Sequence, residues 1–193
     1  MREVFDLAYE VVLNVQGKGS GFDIAAAVWG GTLYFVTGGK AIEPLPQIDL
    51  PIMIGYSGTK VGTVNLVEQV YQMQQRHPKL INAIFDSAQM IVEEARDAFV
   101  NSDWTKFGEL VDINQGLLDA LGVNTPALSN LIFSSRSAGA FGAKLSGAGG
   151  GDSMFAVHSS ANKENVRSAI QHAGGELVNI PINARGVYAT TFN

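Results

Sequence analysis

The segment GAKLSGAGGGD at residues 142–152 constrains the fold more than any other stretch, because five of its eleven residues are glycine. Glycine lets backbone amides come close to a ligand or to another segment, but ordering it costs conformational entropy. The apolar run SMFAV at residues 153–157 follows directly and predicts a β-strand. Two interpretations remain open for the segment. It is either a turn whose oriented amides bind an anion such as phosphate, or a tight connection between strands that binds no ligand.

The common nucleotide-binding templates do not match this segment. A dinucleotide fingerprint that starts at Gly147 needs a glycine at position 152, where the chain has Asp152. A Walker loop needs Gly-Lys followed by Ser or Thr, but Lys18 is followed by glycine and Lys40 by alanine. If the segment binds phosphate, it therefore does so in another way.

Composition and charge exclude several classes of function. The 193-residue chain is 46% hydrophobic and 16% charged, as is typical of a globular protein, and its net charge of −5 argues against non-specific nucleic-acid binding. There are no cysteines, which excludes disulfides, thiol catalysis and zinc–thiolate sites, and the three histidines show no metal-ligand spacing. We find no signal peptide and no apolar run long enough to span a bilayer. We therefore expect a cytoplasmic protein that binds no nucleic acid, no membrane and no metal of its own.

A second glycine-rich segment, QGKGSGFD at residues 16–23, leads into a short alanine-rich helix. Ser20 and Asp23 have the spacing of a capping box, in which both side chains accept hydrogen bonds from amides at the helix start. The functional alternative places Asp23 at the rim of a cleft, where its carboxylate accepts a proton or holds a cation. The two roles are compatible.

The order of the predicted elements indicates an α+β fold, because strands come first, then a run of helices, then strands again. Apolar periodicity, capping residues and helix-breaking residues predict the positions of the helices. Helices are predicted over 1–15, from a cap at 101–103 to Gly122, from Thr125 to Ser137 and around 166–173. Further helices are predicted to begin at Asp23, at a cap at Thr63 and after His77-Pro78. Strands are predicted at 32–37, 42–45, 50–55, 153–157, 177–180 and 187–192. The helix that begins at Met1 has no convincing cap, so we expect the chain to be a portion of something longer.

Two motifs together resemble a known family. GSGFD at 19–23, followed by IAAAVWG at 24–30, and AKLSGAGGGD at 143–152 are similar to the C-terminal half of the GHMP small-molecule kinases. LGVNTPAL at 121–128, GYSG at 55–58 and TVNLV at 63–67 also look familial. Within the superfamily the motifs most resemble the phosphomevalonate kinases. Mevalonate kinases more often have Ser-Gly-Ile-Asp in the first motif and a fourth glycine in place of Asp152.

The resemblance implies a fold and a set of roles. It implies an antiparallel sheet packed against a helical layer, with residues 61–193 as the C-terminal domain and residues 1–60 as a remnant of the preceding region. Asp23 would face the phosphoryl acceptor as the catalytic residue, and Lys18, Ser20 and Lys144 would bind substrate. A phosphate loop would close over the phosphates, and it consists of Ser146, Gly147, Ala148, Gly149, Gly150 and Gly151.

The resemblance also shows what the chain lacks. The Pro-x-x-x-Gly-Leu-Gly-Ser-Ser-Ala nucleotide loop of the family has no match in the sequence. ATP and Mg²⁺ would therefore be bound mainly by an N-terminal half outside this chain, and the chain alone should be inactive. We expect a complementary half or a homodimer as partner, and phosphomevalonate as the small phosphorylated substrate, in isoprenoid precursor synthesis. The alternatives are one half of a mevalonate kinase and a non-catalytic binding module that retains the fold.

Overall fold

The computed structural model describes residues 1–59 and 63–190, without the side chains of residues 63–65. The chain divides into two compact units: Met1–Leu50 together with the residues from Ile180 onward, and Pro51–Asn179. This division falls after Leu50 instead of after residue 60, and it returns the end of the chain to the first unit. The strand after Leu50 therefore belongs to the second unit.

The first unit is built on an aromatic core. It contains helices α1 (Arg2–Gln16) and α2 (Phe22–Trp29) and an antiparallel pair of strands, β1 (Leu33–Val36) and β2 (Ala41–Pro44), joined by a 3₁₀ turn. Phe5 of α1 has no exposed surface, stacks on Tyr9 at 5.5 Å and meets Trp29 edge-on at 5.9 Å. The helix predicted over residues 1–15 is confirmed, and Met1 provides no side-chain cap.

The strand predicted at residues 187–192 is wrong for residues 187–190, which form no regular structure, while residues 191–193 lie outside the described part of the chain. The amide of Val187 donates to the carbonyl of Ala27 (3.1 Å), near the end of α2, so it is not available to a neighbouring strand. Next to it, Gly30 and Arg185 form an isolated antiparallel bridge. Residues 185–187 thus pack on the end of α2.

The second unit contains an antiparallel four-stranded sheet in the order β4-β5-β3-β6. Its strands are β3 (Ile52–Tyr56), β4 (Gly142–Leu145), β5 (Ser153–Val157) and β6 (Glu176–Val178). Lys144 and Ile54 both lie opposite Phe155 in the register, whereas Ala143 and Leu145 point to the other face and are fully buried. The period-two alternation of burial gives the sheet one core face.

Five helices complete the second unit: α3 (Thr63–Arg76), α4 (Pro78–Val100), α5 (Trp104–Ala120), α6 (Pro126–Ser137) and α7 (Lys163–His172). Helices α5, α6 and α7 contact the strands, and together with the core face of the sheet they bury an apolar cluster that includes Leu128, Leu131, Met154 and Ile170. The α+β class is therefore confirmed, with a sheet on a helical layer. Within the described residues, none of the helices is both long enough and apolar enough to cross a membrane.

The helix ends follow the capping signals in the sequence. The Asp103 carboxylate accepts from the Lys106 amide (3.1 Å) at the start of α5, and the Thr125 hydroxyl accepts from the Leu128 amide (3.2 Å) at the start of α6. Gly122 follows α5 with a φ of 71°, a conformation that glycine adopts without strain. These three signals are confirmed. The cap predicted at Thr63 falls outside the described side chains.

Replacing Phe5 by alanine should destabilise the first unit by about 3–5 kcal/mol, because it removes a fully buried ring from the aromatic core. The control is Leu7→Ala on the same helix, whose side chain is 66% exposed. Urea unfolding followed by Trp29 fluorescence, in a Trp104→Phe background, measures both variants. Equal shifts of the two midpoints would show that Phe5 does not hold this unit together.

Candidate functional site

The glycine-rich segment of residues 142–152 begins as strand β4 and ends as the connection between β4 and β5. The connection closes with the Ser146 amide donating to the Ser153 carbonyl at 2.8 Å. Its first residues, Ser146–Ala148, are exposed and form the tip, while Gly149–Gly151 are buried and form the base. The segment is therefore a tight connection between two strands, and its exposed tip leaves room for a ligand.

The base of the loop is fixed by backbone contacts. The Gly150 amide donates to the Val123 carbonyl at 2.7 Å, and the Asp152 amide donates to the Thr59 carbonyl. Gly149 has a φ of 87°, and a Cβ atom there would strike the Val123 carbonyl. Glycine is needed at this position both for the dihedral angle and for the close approach of two backbones. The base is therefore ordered by the protein alone.

The tip offers unused hydrogen-bond donors. In the described part of the chain, no hydrogen bond is found for the amides of Gly147 and Ala148. Gly147 has a φ of 75° and open space where a side chain would be. Successive amides in such a turn can bind an anion, and this is the chemistry that residues 146–151 can provide.

One flank of the tip is apolar. A groove of about 360 Å³ reaches Ala148, and it is lined by Leu66, Val67, Val70, Tyr71, Gln74, Phe85 and Ala148. The groove therefore places an open apolar surface beside the backbone amides of the tip.

Side chains from two helices satisfy the edge of β4, on the side away from β5. The Asp112 carboxylate accepts from the Ala143 amide (2.8 Å), and the Arg136 guanidinium donates to the Ala143 carbonyl (2.6 Å). Gln115 accepts from the Leu145 amide at 2.8 Å. These bonds use the backbone amides and the carbonyl that an edge strand would otherwise expose. They also fix the position of β4, from which the loop begins.

Two opposing effects act on the pKa of the Asp112 carboxyl at this edge. Burial raises the pKa of the Asp112 carboxyl above its ordinary value, although the Ala143 amide and the nearby Arg136 favour the ionised form. Nε of Arg136 lies 2.7 Å from the same carboxylate. The ion pair therefore offsets part of the cost of placing Asp112 beside the sheet.

Lys144 lies on the sheet face opposite the core. Its ammonium donates to the Leu145 carbonyl (2.8 Å) and sits 5.5 Å from the centre of the Phe155 ring. Burial lowers the pKa of the Lys144 amine to about 8. The bond to the Leu145 carbonyl uses one of the three ammonium donors, and the predicted contact of Lys144 with an anionic substrate remains a prediction.

The segment around Lys18, Ser20 and Asp23 belongs to the first unit, whereas Lys144 and residues 146–151 belong to the second. The Tyr9 hydroxyl donates to the Gly19 carbonyl (2.7 Å), and the Gly38 amide donates to the Ser20 carbonyl (2.9 Å). Both bonds fix the backbone of the segment. Lys18 is exposed and Ser20 is half-buried, and their assignment as substrate ligands stays a prediction.

The capping box predicted for Ser20 and Asp23 is wrong. The residue that caps α2 is Gly21, with a φ of 85°, and no side chain bonds to the cap position. The left-handed turn at Gly21 starts the helix one residue after Ser20, so the spacing of a capping box is not met. Asp23 instead lies in the first turn of α2, exposed, and within the described residues its carboxylate accepts one local bond, from the Ile24 amide (3.0 Å). Its carboxylate is accessible to an acceptor molecule.

The described residues do not supply a metal centre: no three or more His, Asp or Glu side chains converge in 1–59 and 63–190. Mg²⁺ in nucleotide sites is commonly held by one or two carboxylates together with the phosphates of the substrate. For the phosphates of ATP the tip amides are a suitable set of donors.

The sequence did not reveal that Gln115 bonds to the edge of β4. Gln115 is only 2% exposed, although glutamine is usually found at the surface. A usable signal was present in the spacing of Asp112, Gln115 and Asp119, which places three polar side chains on one face of a helix.

Residues 95–176 match the family model described as GHMP kinases C terminal. The chain is 40% identical over 190 residues to the mevalonate kinase of Thermococcus sibiricus, covering 96% of this chain and 56% of that protein. It is 42% identical over 178 residues to the mevalonate kinase of Pyrococcus horikoshii, covering 90% of this chain and 52% of that protein. The chain therefore spans slightly more than half the length of these relatives.

Solved structures show the same fold. A protein from Listeria innocua superposes with a TM-score of 0.83 at 25% identity, over 91% of this chain and 57% of that one. The L. major mevalonate kinase in complex with R-mevalonate gives a TM-score of 0.75 at 28% identity, over 80% of this chain and 49% of that one. Phosphomevalonate kinase of Streptococcus pneumoniae gives 0.79 at 21% identity, over 91% and 59%, which shows the fold alone. The particular closeness to phosphomevalonate kinases expected from the motifs is not supported, because the similar sequences above are mevalonate kinases.

Alanine at the two glycines of the loop should have different costs. Gly147→Ala should lower the free energy of unfolding by about 1–2 kcal/mol, because alanine is strained at this positive φ. Gly149→Ala should cost about 1–3 kcal/mol more, because the added methyl group meets the Val123 carbonyl. Urea unfolding followed by circular dichroism measures the difference. Equal costs would contradict a base that is closed by backbone contact.

Replacing Lys144 by methionine should remove a pH dependence of stability. Between pH 8 and 10.5 the unfolded chain still holds a proton that the folded Lys144 has released, so the stability of the wild type rises through this window. Relative to Lys144→Met, the wild type should gain roughly 2 kcal/mol from the lower to the upper limit. Urea unfolding at several pH values measures the gain, with exposed Lys163→Met as the charge-matched control. A flat difference would show that Lys144 is well solvated.

Proposed function

Because residues 95–176 form a C-terminal domain of the GHMP kinases, we propose that this chain is the acceptor-side portion of an ATP-dependent kinase that phosphorylates mevalonate. The observation that carries the proposal is identity of about 40% to mevalonate kinases over almost the whole chain. An alignment over 190 residues includes both glycine-rich segments. The proposal replaces phosphomevalonate, which the motifs favoured, with an alcohol acceptor.

The phosphate loop of residues 146–151 is proposed to bind the phosphates of ATP. Its support is the fixed base and the exposed tip, where the amides of Gly147 and Ala148 are available as donors. Phosphoryl transfer is catalysed mainly by positioning and by neutralisation of charge. A loop that needs no reorganisation provides both from its backbone.

Asp23 is proposed as the residue that accepts the proton of the alcohol. In the reaction, the mevalonate oxygen bonds to the γ-phosphorus of ATP, the bond from that phosphorus to the leaving ADP oxygen breaks, and the hydroxyl proton is transferred to a carboxylate. A positioned base of this kind contributes about 10²–10⁴-fold. The support is that Asp23 is exposed and that its only described hydrogen bond is to the Ile24 amide beside it.

A phosphate acceptor would use Asp23 differently. A phosphate monoester has a second pKa near 6 and is already largely ionised at pH 7. It gains little from a base, and a carboxylate beside it adds like-charge repulsion. Sensitivity to loss of Asp23 therefore separates a mevalonate kinase from a phosphomevalonate kinase.

The partner of the chain is proposed to be the portion of the relatives that it does not span. Helix α1 supports this, since it carries exposed apolar residues at helical spacing along one face: Val4, Leu7, Val11 and Val15. Exposed apolar faces commonly mark interfaces. The complementary portion, or a second copy of the chain, is proposed to cover this face and, in the first case, to bring most of the ATP and Mg²⁺ site.

The isolated chain should release no ADP from ATP in the presence of Mg²⁺ and mevalonate, whereas a fusion with the unspanned portion of the Thermococcus sibiricus relative should be active. In the fusion, Asp23→Asn should lower kcat on mevalonate by about 10²–10⁴-fold. The matched control is Asp49→Asn, an exposed carboxylate of the same unit. A coupled ADP assay at pH 6 and pH 8 measures each reaction.

Each other outcome of this experiment rejects a part of the proposal. Robust turnover by the chain alone contradicts the need for a partner. A fusion that prefers phosphomevalonate and tolerates Asp23→Asn is a phosphomevalonate kinase. A folded fusion that is inactive with both acceptors indicates a non-catalytic module.

A further inference from the structure

A polar stripe on helix α5 connects to both ends of the phosphate loop. It consists of Asp112, Gln115 and Asp119, which are spaced by three and four residues and so share one face of the helix. Asp112 bonds to the strand residue Ala143, as described above. The other two residues of the stripe lead to the start of the loop and to the segment beneath its base.

The first connection runs from Gln115 to the start of the loop. Its side-chain oxygen accepts from the Leu145 amide at 2.8 Å, and Leu145 directly precedes the exposed Ser146. Gln115 is only 2% exposed, and leaving a buried amide group without partners is destabilising. The bond therefore fixes the residue from which the loop departs.

The second connection runs from the side-chain nitrogen of Gln115, through Asp119, to the base of the loop. Gln115 donates to the Asp119 carboxylate at 3.2 Å, and the same oxygen accepts from the side chain of Asn124 at 2.6 Å. Asn124 also donates to the Ser129 hydroxyl at 2.7 Å. These bonds hold the segment of residues 122–124, and its Val123 carbonyl accepts from the Gly150 amide at 2.7 Å.

We infer that Gln115 is a positioning residue for the phosphate loop: its acceptor fixes where the loop starts, and its donor, through Asp119 and Asn124, fixes the carbonyl on which the base of the loop rests. The inference builds on the proposed phosphate-binding role of residues 146–151. Only a side chain with both an acceptor and a donor at its end can make the two connections at once. With both in place, the amides of Gly147 and Ala148 are oriented before a ligand arrives.

The test is amide hydrogen exchange measured by NMR on the chain, comparing Leu145 and Gly150 with the amides of β3 and β5. Gln115→Met keeps the volume of the side chain and removes both polar groups. It should speed exchange of both Leu145 and Gly150 by about tenfold or more, the effect of losing one net hydrogen bond. Gln171→Met, on the exposed side of α7, is the control and should change neither rate.

A second variant separates the two connections. In Gln115→Glu the ionised carboxylate still accepts from the Leu145 amide but cannot donate to Asp119, which it repels. At pH 8 only Gly150 should exchange faster than in the wild type. Burial and the neighbouring Asp119 raise the pKa of the introduced carboxyl, so at mildly acidic pH it is protonated, donates again, and restores protection of Gly150. A role in packing alone would produce no such recovery.

A further variant covers the case in which Gln115→Met does not fold. Asn124→Ala removes only the second connection. It should speed hydrogen exchange of the Gly150 amide, while the Leu145 amide stays protected. Unchanged exchange of Gly150 in every variant that folds would overturn the inference, and so would equal acceleration throughout β3 and β5. Because exchange needs neither nucleotide nor acceptor, its failure is distinct from failure of the kinase assay. In the active fusion, Gln115→Met should raise the KM for ATP and leave the KM for mevalonate unchanged.

Discussion

The hydrogen bond from the Gly150 amide to the Val123 carbonyl is the contact on which the candidate site depends. It joins the base of the phosphate loop to the segment between α5 and α6, and it requires glycine at position 149, because any side chain there would separate the two backbones. The cost of ordering a glycine-rich turn is thereby met when the protein folds and not when a ligand binds. A loop fixed in this way can present free amides at its tip.

Much of the fold follows from local signals in the sequence. The caps at Asp103 and Thr125 and the glycine that ends α5 all express short-range chemistry, and the structure has them where they were predicted. The bond between Gln115 and the Leu145 amide could not be recognised in this way, because the two residues are brought together only by the packing of α5 against β4. The capping box failed for a local reason: a left-handed glycine at position 21 moved the helix start.

The motifs indicated the superfamily more reliably than the acceptor. Asp152 favoured phosphomevalonate kinases because the resemblance led us to expect glycine at this position in a mevalonate kinase. In the structure Asp152 has a φ of 69°, and its amide bonds to the Thr59 carbonyl. Glycine and aspartate are among the residues that tolerate this conformation. The choice between them therefore concerns the geometry of the turn and carries little information about the molecule that is phosphorylated.

The most direct test of a preformed phosphate loop is a titration of the ¹⁵N-labelled chain with inorganic tripolyphosphate, which has the charge pattern of ATP without its base and sugar. We predict that the amide resonances of Gly147 and Ala148 shift with added ligand, because no hydrogen bond occupies these donors in the described part of the chain. Those of Gly150 and Asp152 should move much less, because both amides already bond within the protein. Shifts confined to other parts of the chain, or equal shifts at the tip and the base, would contradict a preformed loop.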